Sequence, residues 1–168
     1  MLHGTLVAAA ILASTIASAF AQDAPVAAMF VAGDEASGPF LSYFMEDCGE
    51  CGVAQFSCGD GSGVAVTLLE FDDKTLAKWL ADNGAHATLN FGDKTSLELS
   101  PRRITFSEMS GAWDIEFVVW GNDATSIEPM AAGKVPVIGT PKGDPVLPAL
   151  KRDAANARQF IDACLQRQ

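Results

Sequence analysis

The chain has 168 residues, 49% of them hydrophobic and 19% charged. That balance supplies a buried core and excludes a disordered chain. Acidic residues outnumber basic ones by 21 to 11, and the net charge of -10 repels phosphate backbones and anionic headgroups, which disfavours nucleic acid and lipid surfaces as partners.

Residues 6–20, LVAAAILASTIASAF, carry no charge and, at about 15 residues, fall short of the roughly 20 that a bilayer span needs. Ala19-Phe20-Ala21 then fits the small-x-small rule of signal-peptide cleavage. The expected organisation is a signal peptide over 1–21 and one domain over 22–168, the usual size of a single domain. Its expected place is the periplasm or the outside of a bacterial cell, without stable membrane insertion after cleavage.

A short apolar-acidic lead over 25–35 is followed by strands over 40–45, 53–58 and 64–70. Gly59-Asp60-Gly61-Ser62-Gly63 reads as the turn between the second and third. Asp72 or Asp73 is placed to cap a helix over 74–83, with Leu76, Trp79 and Leu80 on its apolar face and Gly84 ending it. Residues 85–91 alternate in polarity, as do 94–99, and keeping Phe91 and Thr95 on one side requires a three-residue loop, Gly92-Asp93-Lys94. Pro101 is expected to break that strand. A second hairpin, 103–109 with 113–120, turns at Ser110-Gly111 and carries Trp113, Ile115, Phe117 and Val119 on its core face. Five of the eight prolines lie between Pro129 and Pro148, which leaves room for at most an edge strand over 135–138. The last segment is a helix capped by Asp153, with Ala157, Phe160, Ile161 and Cys164 at helical spacing. The expected fold is a mainly β antiparallel sandwich or bent sheet with two short helices.

Cys48, Cys51, Cys58 and Cys164 form an even set, which in an exported chain favours two disulfides among three connectivities. The favoured pairing is Cys58 with Cys164, tying the C-terminal helix to the sheet, and Cys48 with Cys51 across a Gly49-Glu50 turn. A redox dithiol at Cys48-Gly-Glu-Cys51 would need a helix N-terminus to stabilise its thiolate. A strand-like run follows instead, and Glu46, Asp47 and Glu50 surround it. Zinc would need a second ligand pair, which the spacing of Cys58 and Cys164 does not supply.

After the export segment the only histidine is His86, on the solvent side of its strand, so any triad would have to pass through it. Asp72-Asp73 and Asp34-Glu35 are adjacent pairs that point apart and suit a helix cap and a solvated loop. The glycine-rich 59–63 segment lacks the further ligands of a calcium loop and the lysine of a phosphate loop. No cofactor is expected. Trp120 has the opposite parity to Trp113 on one strand and adjoins Asn122, so Trp120 and Asn122 are the candidate contact surface.

The signal peptide, the Phe40-x-x-Tyr43 to Cys48 strand, the Cys51-to-Cys58 segment with Val53-Ala54-Gln55, and the succession of short strands resemble small periplasmic β-sandwich proteins of alphaproteobacteria. The nearest named group is the invasion-associated locus B family. The resemblance is one of layout over most of the domain, and it implies a non-catalytic envelope or secreted protein linked to host interaction. The chain differs from that group in drawing its last cysteine from a helix, Phe160-Ile-Asp-Ala-Cys164. The leading reading is a non-enzymatic binding domain for a protein or small ligand. The alternatives are a thiol-disulfide protein using Cys48 and Cys51, and an acidic inhibitor of a basic envelope enzyme such as a lysozyme.

Overall fold

The structure, a computed structural model, describes residues 26–34, 37–45, 51–58, 63–92, 96–119, 124–142, 146 and 150–167. Eight antiparallel strands form one curled sheet: β1 (Val26–Val31), β2 (Phe40–Met45), β3 (Gly52–Cys58), β4 (Val64–Phe71), β5 (Ala87–Asn90), β6 (Ser96–Ser107), β7 (Ala112–Val119) and β8 (Val137–Gly139). Their spatial order is β1-β2-β3-β4-β7-β6-β5-β8. Helix α1 (Asp73–Asn83) follows β4, a 3-10 turn at Ala124–Ile127 leads into the one-turn helix α2 (Glu128–Ala131), and α3 (Ala154–Leu165) closes the chain.

Directly opposed residues of an antiparallel ladder share a face, so the register identifies the buried side. Leu41 opposes Phe56, Phe56 opposes Val66, Val66 opposes Phe117, Leu99 opposes Val119 and Leu89 opposes Ile138. All are buried on that face, which runs from β2 to β8. Helix α3 lays Ala157, Phe160 and Ile161 into the same core, and α1 adds Leu76 and Trp79. Burying these side chains is the main favourable term in folding.

Both long helices begin where the sequence places a cap. The Asp72 carboxylate accepts the Thr75 N–H at 2.7 Å, and Asp153 accepts that of Asn156 at 3.0 Å, each satisfying a donor the first turn leaves open. Gly84 ends α1 in the left-handed conformation, with φ 57°. The Cys58–Cys164 disulfide ties α3 to the end of β3, as expected. The register of β5 on β6 also agrees with the expected one, with Leu89 opposite Leu97 and Asn90 opposite Ser96; Asp93 and Lys94 of the expected loop, and Thr95 after it, lie outside the described residues.

Five expectations need correction. The lead over 25–35 contains β1, an edge strand on β2; without polar alternation its apolar run gave no strand signal. Leu80 is 38% exposed, because the α1 face against the sheet is narrow and Leu76 and Trp79 fill it. Trp113 is half-buried at the margin of the core rather than inside it. Pro101 does not end a strand: β6 runs on for 12 residues, with a register irregularity between Pro101 and Arg103. A proline lacks an N–H to donate, and a bulge is one of the few places within a sheet that accepts it. The proline-rich segment adds α2 to the two expected helices, with Pro129 in its first turn, where a missing N–H does no harm.

Candidate interaction surface

The residues singled out from the sequence fall in different places. Cys51 is disulfide-bonded and its carbonyl accepts the Met45 N–H at 3.0 Å, so it lies where β2 and β3 close. Cys48, Trp120 and Asn122 lie outside the described residues. Cys58 and Cys164 are joined, with Cα atoms 5.8 Å apart. His86 is exposed.

The perturbed titrations have structural causes. The N–H and hydroxyl of Thr75 hold the Asp72 carboxyl below its usual range. Burial, reinforced by the Asp153 carboxylate, pushes the Tyr43 phenol up. Arg158 is raised by its bonds to Glu128, which join α3 to α2. Among the described residues no group of three or more His, Cys, Asp and Glu is placed to hold a metal ion. A shallow cavity of about 190 Å³ lies between α1 and the chain near Thr140 and Val146, below the roughly 300 Å³ at which ligand pockets usually begin.

The most unusual surface is the far half of the β6–β7 hairpin. Strand β5 pairs with β6 only as far as Leu99, opposite Ala87. Beyond it β6 continues to Ser107 against β7 alone. Among the described residues no strand pairs with its other side over 100–107. Such an edge offers a row of backbone donors and acceptors to any extended chain.

Its side chains are equally uncovered. Ile104 is 38% and Phe106 47% exposed, and Met109 in the turn is fully exposed. Ile104 opposes the buried Ile115, and Phe106 opposes Trp113, so both continue the core face past the point where α1 covers it. Phe106 meets Trp113 edge to face, with centroids 5.3 Å apart. On the opposite face Arg102 and Arg103 lie 3.2 Å and 2.7 Å from the Glu116 carboxylate.

The hairpin is held firmly from behind. Trp113 Nε1–H donates to Asp73 Oδ1 in the first turn of α1. Asp114 Oδ1 accepts the N–H of Glu70 at 3.2 Å, where Glu70 takes the left-handed conformation, φ 67°, at the irregularity of β4 on β7. An open, half-apolar strand edge is suited to strand addition, in which main-chain bonds supply affinity and alternate side chains supply selectivity.

No family model, curated protein or solved structure matches the chain. Its function must therefore be read from its own surface.

Sequence reading missed Ile104, Phe106 and Met109 because it split β6 at Pro101. With the proline taken as a bulge, one strand from Ser96 to Ser107 faces a much shorter partner, Ala87–Asn90. The mismatch in length is the signal that would have shown the overhang.

Proposed function

We propose that this chain is a non-catalytic, disulfide-stabilised binding domain of the bacterial periplasm or exterior, which takes an extended protein segment along the open half of β6. The observation that carries this reading is the coincidence of a strand edge that is unpaired among the described residues with exposed Ile104 and Phe106 on a protein whose charge is -10. Exposed apolar side chains on an edge strand favour association, so their presence beside a free ladder calls for a partner. The envelope or host-interaction role implied by the layout resemblance belongs to the same reading. A thiol-disulfide function draws less support, since Cys51 directly precedes strand β3 and so lacks the helix N-terminus that lowers a thiol pKa.

The test is site-specific photocrosslinking in the producing cells, with benzoylphenylalanine in place of Ile104 or Phe106 and, as a control, of Lys78 on exposed α1. Protein adducts at 104 and 106 but not at 78 are expected. No adduct at either strand position, or equal labelling at all three, would overturn the proposal.

A further inference from the structure

We infer that the partner of the open β6 edge is a second copy of this chain, bound strand to strand about a two-fold axis; the inference rests on the binding surface proposed above. A two-fold perpendicular to a continuous sheet opposes residues of the same face, so the numbers of each facing pair must add to an even sum. Three such registers centre on Ile104, Thr105 or Phe106, the middle of the open segment.

Centring on Ile104 sets Phe106 against the irregularity at Arg102, whose side chain lies on the other face, and centring on Phe106 sets Ile104 against Glu108. Each leaves an apolar side chain without an apolar partner. Centring on Thr105 pairs Ile104 with Phe106 of the second copy, twice over, so both exposed apolar residues are covered by apolar partners. The same register sets Thr105 on Thr105 and Arg103 on Ser107, combinations that antiparallel ladders accept. It also brings the Arg102–Arg103 end of each copy alongside Glu108 of the other.

That charge match is notable on a chain with 21 acidic and only 11 basic residues, where two identical surfaces would ordinarily repel. The irregularity at Pro101 and Arg102 bounds the pairing at one end and the hairpin turn bounds it at the other. The five residues between span about 17 Å of strand. An interface of this length stands at the small end of the range, so dimerisation at micromolar concentration is expected rather than a permanent dimer.

Analytical ultracentrifugation of the purified oxidised protein across micromolar concentrations tests this directly. The expected result is a monomer–dimer equilibrium. Arg102→Glu alone and Glu108→Arg alone should each weaken it by at least about tenfold, since each sets like charges together at both ends. Mixing the two variants should restore association, because each then meets its opposite charge. Both residues are exposed, and far-UV circular dichroism of each variant confirms the fold before the comparison. Thr105→Pro, which puts a ring at the centre of the pairing, should abolish the dimer.

A monomer at every concentration, or a dimer indifferent to Thr105→Pro, would overturn the second-copy inference. A dimer lost in both single variants but not restored on mixing would overturn the proposed register. The photocrosslinking separates these failures from that of the surface itself. Adducts at 106 of twice the chain mass support self-pairing, adducts of any other mass leave the binding surface standing without it, and no adducts remove both.

Discussion

Removing the Cys58–Cys164 bond by the double substitution C58A/C164A should strip away much of the stability of the domain. The two residues are 106 apart in sequence, and releasing a loop of that size returns about 4.7 kcal/mol of chain entropy to the unfolded state. A domain of this size has roughly 5–15 kcal/mol in all. The midpoint of thermal unfolding should fall by roughly 10–20 °C. The native contacts of α3 change little, since Phe160 and Ile161 remain buried. The loss therefore belongs to the unfolded chain, and that has its own signature: the urea m-value should rise as the unlinked chain expands. Urea titration followed by tryptophan fluorescence and far-UV circular dichroism, oxidised wild type against the variant, measures both quantities. A loss below about 1 kcal/mol with an unchanged m-value would refute the reasoning and show that packing alone seats α3.

Three further outcomes follow from the geometry. Leu76→Ala should lose about 2–5 kcal/mol as a core cavity opens, whereas Leu80→Ala should stay within about 0.5 kcal/mol, both by urea titration; equal losses would contradict the one-sided burial of α1. Because the carboxyl of Asp72 is lowered chiefly by the Thr75 N–H, its contribution is complete above the ordinary carboxylate pKa and fades as pH falls through the lower folded value. Asp72→Asn keeps a capping oxygen and should flatten that part of the acid limb of a stability-versus-pH curve. Gly33→Ala should destabilise the β1–β2 turn, since Gly33 has φ +69° and an added Cβ would lie 1.7 Å from the carbonyl oxygen of Gly38; a thermal midpoint equal to wild type would count against this turn geometry.

Where the sequence was legible, a local pattern and the tertiary environment agreed. The α1 cap at Asp72, its stop at Gly84, the α3 face Ala157-Phe160-Ile161-Cys164 and the register of β5 on β6 could each be read from a few neighbouring residues. What could not be read depends on neighbours far along the chain. Nothing around residues 26–31 announces β1, because its strand identity comes from pairing with β2. Pro101 is a breaker by local rules and a bulge only because β7 supports the strand on both sides of it. The interaction surface was misjudged for the same reason. Ile104 and Phe106 have ordinary strand alternation, and their exposure follows from β6 running on past both the end of β5 and the part of the core face that α1 covers.

The link between residues 58 and 164 also sets a timetable. Threaded N-terminus first into an oxidising compartment, the chain delivers Cys58 ahead of Cys164 by 106 residues. Throughout that interval Cys58 is an unpaired thiol only seven positions from Cys51, while the strand that carries it can already form a hairpin with β4. The last helix is thus the final piece by necessity, and any shorter-range bond made by Cys58 before it arrives must be undone. A cell that makes this protein quickly needs thiol exchange to be faster still, and its yield of native protein should respond to the supply of a disulfide isomerase.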